Sequence, residues 1–119
     1  MENIIIVYDS KTGLGKRFAE KLPYPSQPVE HSITGPCILV TRNSGLGQIA
    51  GTTKKFLKKN GAVVKGVVVN GDKRFGKHFC AAGPKIQKRY GLPLLLNIEG
   101  EGTEQDAAQL TALIGEMPG

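Results

Sequence analysis

Residues 4–15 read Ile4-Ile5-Ile6-Val7-Tyr8-Asp9-Ser10-Lys11-Thr12-Gly13-Leu14-Gly15. Three isoleucines and a valine in succession leave no polar face, which predicts a strand covered on both sides, as in a parallel sheet. The Ser-, Thr- and Gly-rich stretch behind it is long enough only for a tight turn into a helix. Lys16–Leu22 supplies that helix, with Phe18, Ala19 and Leu22 on one apolar stripe and charges at 16, 17, 20 and 21. Such a turn presents backbone N–H groups and hydroxyls above the sheet edge, where an anion is the natural occupant.

The same unit repeats down the chain. Cys37–Thr41 predicts a second central strand, emptying into a glycine-rich loop, Arg42–Ile49, and a helix from about Thr52 to Asn60. That helix turns Phe56 and Leu57 inward, with Thr52 or Thr53 as its cap and Asn60-Gly61 as its end. Val63–Val69 predicts the third strand, its Gly66 marking close backbone packing, followed by a polar loop, Asn70–Lys77. His78–Tyr90 predicts the next helix, in which Pro84 is expected either to interrupt or to mark where the regular part begins. Leu94–Ile98 is the last strand. Thr103-Glu104-Gln105-Asp106 reads as a capping box opening a helix from Glu104 to about Glu116. Pro23, Pro25 and Pro28 end the first helix and leave Val29–Ile33 as an edge strand at best. Strand and helix alternating in this way predict an α/β fold with five parallel strands, whose glycine-rich loops gather on one rim. In such sheets that rim is where ligands bind.

The loops suggest what the rim holds. Ser10 and Thr12 offer hydroxyls, while Gly13 and Gly15 let the backbone approach an anion with no Cβ in the way. Neither GxxxxGK[ST] nor GxGxxG follows the first strand, which disfavours Walker-type and dinucleotide sites. Asn43-Ser44-Gly45-Leu46-Gly47 and Asn70-Gly71-Asp72 carry turn residues whose backbone groups can face a heteroaromatic ring, and Phe75 can stack on one. A mononucleotide with one phosphate and a tricyclic ring fits three such loops better than a dinucleotide.

Composition narrows the class. The chain has 119 residues, expected to form one domain spanning 1–119, with 39% hydrophobic and 22% charged residues, a globular balance. No run is long enough to span a bilayer and no signal-peptide pattern opens the chain, so the expected compartment is the cytoplasm. Cys37 and Cys80 form no CxxC pair, and His31 and His78 have no ligand-like spacing, so neither a disulfide framework nor a metal site is indicated. Cys37 is expected to be buried and Cys80 more exposed. Asp9 and Glu99 stand at two strand ends, and neither is assigned an acid–base role. The net charge of +6 favours anionic partners, while the absence of Trp and only seven aromatic residues leave little for base stacking.

Four stretches together resemble the NrdI family, the small flavodoxin-like flavoprotein partner of class Ib ribonucleotide reductase. They are VYDSKTGLGKRF at 7–18, TRNSGLGQI at 41–49, NGDKRFGKHFCAAGPKIQKRYGLP at 70–93 and EGEGTEQD at 99–106. The resemblance covers nearly the whole chain and implies a flavodoxin-like three-layer sandwich with strand order 2-1-3-4-5. It also implies FMN as cofactor. Ser10, Lys11, Thr12, Gly13, Leu14 and Gly15 match the phosphate loop. Asn43, Ser44, Gly45, Leu46 and Gly47 match the loop beside the redox-active ring edge. Asn70, Gly71, Asp72, Phe75 and Gly76 match the loop on the other side. Three positions depart from the family pattern: Leu14 and Asp72 stand where Asn is usual, and Arg42 where an aromatic or small residue is commoner.

The implied activity is redox. Reduced FMN reacts with dioxygen and supplies an oxidant, superoxide, to the dimanganese site of the reductase small subunit, where the tyrosyl radical is made. The partners implied are that small subunit, a flavin-reducing electron donor and dioxygen, with metal and radical on the partner. This describes an activating redox partner rather than a stand-alone turnover enzyme. Arg42, Lys73, Arg74 and Lys77 near the rim are expected to ease two-electron reduction and to guide an anionic oxidant. Two other readings stay open: a general electron-transfer flavodoxin, and a non-enzymatic phosphate-binding domain of similar topology or nucleic-acid-binding domain, the last resting on basic charge alone.

Overall fold

The computed structural model describes residues 3–118. Its elements in chain order are β1 (Ile5–Tyr8), α1 (Leu14–Glu20), β2 (Ser26–Pro28), β3 (Cys37–Ser44), β4 (Gln48–Ile49), α2 (Gly51–Asn60), β5 (Val64–Gly71), α3 (Ala82–Tyr90), β6 (Leu94–Glu99) and α4 (Glu104–Glu116). Five strands run parallel in the order β2-β1-β3-β5-β6, which is the expected 2-1-3-4-5 once β4 is set aside. β4 pairs only with β3, antiparallel, through Asn43 with Ile49 and Ser44 with Gln48.

Alternation along the central strands builds the three layers. Val7, Leu39, Val67 and Val69 face α2 and α3, packing on Phe56, Leu57, Ala82 and Ile86. Ile4, Ile6, Ile38, Val40 and Val68 face α1 and α4, packing on Phe18, Ala19, Ala107, Leu110 and Ile114. Period-two side chains on a strand buried on both faces require two such clusters, and the glycine within β5 tightens one of them. A Cβ on Gly66 would lie 2.5 Å from Leu95 Cδ1.

Several boundaries differ from the sequence expectation, each for a physical reason. The edge strand is Ser26–Pro28 rather than Val29–Ile33: Ile6 N–H donates to Pro25 O and Val29 N–H donates to Tyr8 O, so the flanking prolines lose no ladder donor. β3 continues past Thr41 to Ser44 because β4 folds back on it, so most of the second loop is a hairpin turning at Gly45 and Gly47, both with positive φ. The helix expected from His78 starts at Ala82. Before it, Lys73–His78 forms a 3-10 stretch broken at Gly76 (φ 57°), and Cys80 also takes a positive φ of 53°. Pro84 falls in the first turn of α3, where its missing N–H is harmless. α2 has no side-chain cap: the hydroxyls of Thr52 and Thr53 donate to Asp9 instead. The capping box of α4 is present, with Thr103 N–H donating to Asp106 Oδ2 and Asp106 N–H to Thr103 Oγ1.

Two rim glycines separate conformational from packing constraint. Gly102 has φ +70° and a Cβ there would sit 2.5 Å from Cδ1 of the fully buried Phe18, whereas Gly13, at φ +90°, has nothing within 4 Å. Gly102→Ala should therefore lower stability by about 2–4 kcal/mol, backbone strain plus overpacking, and Gly13→Ala by about 1–2 kcal/mol, strain alone. Urea denaturation of both variants checks the ordering.

Candidate functional site

Four strand ends, not three, open onto the C-terminal rim, and polar side chains tie each to its neighbour. The Asp9 carboxylate, only 5% exposed, accepts hydrogen bonds from Thr52 Oγ1 (2.5 Å) and Thr53 Oγ1 (2.6 Å), linking the end of β1 to α2. Thr53 also shares a 2.6 Å hydroxyl contact with Thr41. Asn43 bridges β3 to the third loop, its Nδ2 donating to His78 O (2.7 Å) and its Oδ1 accepting from Ala82 N–H (2.9 Å). Asn70 Nδ2 donates to Gly100 O (2.9 Å), and Lys73 N–H donates to Glu99 Oε2 (3.0 Å), closing the third segment on the fourth.

Between these segments lies a cavity of about 640 Å³, within the usual range for small-molecule sites. The first loop contributes Lys11, Thr12 and Leu14; the second Arg42, Asn43 and Gly45; the third Asn70, Gly71, Asp72 and Phe75; the fourth Glu99 and Gly100. Nine of the residues singled out from sequence line it. Ser10, Gly13, Gly15, Ser44, Leu46, Gly47 and Gly76 do not line it. Ser10 Oγ accepts from Gly13 N–H at 3.0 Å and shapes the turn, and Gly15 packs on Ser10 and Val40. Gly47 packs against Ala81 and offers its carbonyl to Lys85 Nζ (2.7 Å). Leu46 stands exposed at the hairpin tip.

The cavity wall mixes an apolar surface with fixed charge. Phe75 is 50% exposed on the rim and presents its ring to the cavity wall. Asp72 grips Arg74 through a guanidinium fork and caps the 3-10 stretch by accepting Arg74 N–H, which holds its carboxyl below the usual carboxylate range. Arg42 lies 3.7 Å from Asp9, Nε to Oδ1, and that Nε is buried without a hydrogen-bond partner. Of the four rim cations, only Arg42 lines the cavity; Lys73 sits 5.9 Å over the Phe79 ring, and Arg74 is engaged by Asp72. Arg42, Glu99 and Gly100 were not among the residues matched to a ligand. The signal for the last two was available, since Glu99-Gly100-Glu101-Gly102 leaves the C-terminal end of a strand like the other loops.

The family model described as NrdI Flavodoxin like matches residues 6–112. Protein NrdI of Bacillus licheniformis is 36% identical over 111 residues, which span 91% of this chain and 85% of that protein. Among solved structures, a short-chain flavodoxin associated with a non-canonical PDU bacterial microcompartment superposes with a TM-score of 0.72 at 16% identity, covering 97% of this chain and 95% of that one. The flavodoxin of Fusobacterium nucleatum, solved with flavin mononucleotide bound, gives 0.63 at 18% identity, covering 99% and 100%. These two likenesses establish a shared fold.

The two thiols lie at opposite ends of the sheet: Cys37 opens β3, away from the rim, and Cys80 lies beside Gly71 under the third rim segment. Cys37 is fully buried, and Cys80, expected to be more exposed, is 1% exposed because its Sγ turns inward to Val69 O at 3.3 Å. Burial pushes each thiol up to about 11, with Lys65 opposing the rise at Cys37 and the Ile98 backbone opposing it at Cys80. Raised folded-state values favour the protonated, folded form. Their contribution to stability is present below the ordinary 9.0 and lost as pH climbs toward about 11. At pH 8, a thiol reagent should label the native protein roughly 100-fold more slowly than the urea-unfolded chain, which shows two reactive thiols.

Proposed function

The chain belongs to the NrdI flavodoxin-like family, and on that premise we propose that it binds FMN in the rim cavity and serves as the redox activator of class Ib ribonucleotide reductase. The observation that carries this is the cavity itself: its size, its placement at the C-terminal strand ends, and a wall that pairs cationic side chains with an exposed aromatic ring. When bound and reduced by an electron donor, FMN would supply one-electron chemistry toward dioxygen, and the oxidant, superoxide, would serve the dimanganese site of the reductase small subunit in making its tyrosyl radical. The metal and the radical belong to that partner, and the encounter takes place in the cytoplasm.

The chain's own residues bind, orient and shield. Lys11 supplies a cation and Thr12 a hydroxyl for the phosphate, on the loop whose turn Ser10 and Gly13 hold open. Gly15 keeps that loop close to β3. Leu14 and Phe75 offer apolar surface to a flat ring, and the backbone at Asn43, Gly45, Gly71 and Asp72 supplies its polar edges. Asn43 and Asn70 act through their staples, fixing where those backbone groups stand. Leu46 and Phe75, the exposed large hydrophobic side chains of the rim, remain available to a docking partner.

An absorbance scan after addition of FMN should show a bound flavin spectrum at micromolar protein. Phe75→Ala should weaken binding roughly two- to tenfold, the worth of one aromatic contact. With a reductant, dioxygen and the manganese-loaded small subunit, radical yield should depend on this protein. Failure to bind FMN at micromolar levels overturns the reading; binding without radical formation moves the assignment to a general electron-transfer flavodoxin.

A further inference from the structure

Arg42 is the cavity's one cation held by a buried acid. Its Nε faces Asp9 Oδ1 at 3.7 Å and is sealed from solvent with no hydrogen-bond partner, while the side chain as a whole keeps 23% of its surface. An arginine placed only to balance Asp9 would close that contact as a hydrogen-bonded fork. Here the carboxylate is already engaged at Oδ2 by the hydroxyls of Thr52 and Thr53, in the first turn of α2, where the helix dipole also favours an anion. The threonines thus hold the Asp9 carboxylate in place from α2, and the carboxylate in turn holds the guanidinium of Arg42 at the cavity wall without a closed hydrogen bond between them.

The other charges at the cavity differ in kind. Lys11 is exposed and screened by solvent. Asp72 is occupied by Arg74, and Glu99 accepts from Lys73 N–H. Arg42 alone combines partial burial, a fixed position and a place on the cavity wall.

Building on the FMN reading above, we infer that Arg42 is a tuning residue for the cofactor: its guanidinium favours the two-electron-reduced flavin, an anion once its N1 proton is lost, over the neutral oxidised ring. Asp9 and the two threonines keep that guanidinium against the wall. Phosphate anchoring belongs to the loop of Lys11 and Thr12, so Arg42 acts on the ring's redox balance rather than on the tail.

The test is a reductive titration of the FMN-loaded protein beside fluorescence titrations with oxidised FMN and riboflavin, for wild type, Arg42→Gln, Arg42→Lys and the control Lys73→Gln. Arg42→Gln should lose about tenfold in its preference for reduced over oxidised flavin, which lowers the two-electron potential by about 30 mV. Oxidised FMN should still bind within about threefold of wild type, Arg42→Lys should recover most of the potential, and Lys73→Gln should leave it unchanged. If Arg42→Gln does not fold because Asp9 is left unpaired, the Arg42→Gln/Asp9→Asn double variant removes that charge and is compared with Asp9→Asn alone, below which its potential should lie. A wild-type potential retained in a folded Arg42→Gln, or a double variant equal in potential to Asp9→Asn, overturns the inference. So does a loss of oxidised FMN affinity with riboflavin affinity intact, which assigns Arg42 to the phosphate. Absence of FMN binding by wild type overturns the cofactor reading itself.

Discussion

The rim exists because polar side chains at the ends of β1, β3 and β5 are fastened to the neighbouring segment. Asp9 reaches α2, Asn43 reaches the start of α3, and Asn70 reaches the loop after β6. Parallel strands end with their carbonyls and amides released from the ladder, and loops leaving such ends have no intrinsic reason to stay together. A side-chain amide satisfies a donor and an acceptor at once, so Asn43 both ties off His78 O and caps the Ala82 N–H at the opening of α3. Each such bond contributes on the order of 1 kcal/mol net, but breaking one leaves a partly buried partner unsatisfied, which costs more. The cavity is therefore preorganised by its second layer of contacts, and a ligand entering it need not order the loops.

This arrangement depends on the sheet being flat-sided and fully covered. Val7, Leu39 and Val69 anchor one helical layer while Ile6, Ile38 and Val40 anchor the other, so the strand ends are held at fixed spacing from both sides. Phe18 extends that anchoring to the rim, since it packs beneath Gly102 in the fourth segment. The core and the site are thus continuous: the ring that closes the α1 layer is also the floor of the loop carrying Gly100.

The layers were readable because the pattern of apolar residues encodes them. Unbroken apolar runs in β3 and β5, which only a sheet covered on both faces accommodates, and the 3.6-residue stripe of α4 left no competing solution, and the Thr103–Asp106 capping box fixed a boundary to the residue. Reading failed where local and long-range chemistry compete for the same atoms. Thr52 and Thr53 are good cap residues, yet a buried carboxylate more than forty positions away accepts their hydroxyls. Asn43 and Asn70 are good turn and ligand residues, yet their side chains answer to backbone groups that only the tertiary fold brings near. Cys80, at positive φ, breaks a segment whose apolar spacing, Phe79, Ala82 and Ile86, is helical throughout. Spacing reports which side chains face the core, and it is silent on which backbone is strained to put them there.

Charge shows the same division between what composition can and cannot decide. The net +6 is real, but Lys54, Lys55, Lys58, Lys59, Lys85, Lys88 and Arg89 place seven cations on α2 and α3, on the outer face of one helical layer and away from the cavity wall. Those charges act at a distance, across a Debye length of about 8 Å at physiological salt, and they bear on which partners approach rather than on what is bound. At the wall itself the formal charges balance, Lys11 and Arg42 against Asp72 and Glu99. With no net excess, the local potential depends on which charges are fixed and desolvated and which are mobile and screened. A basic chain can therefore hold a cavity whose wall carries no net charge, and the composition that draws attention to the charge gives no account of where it acts.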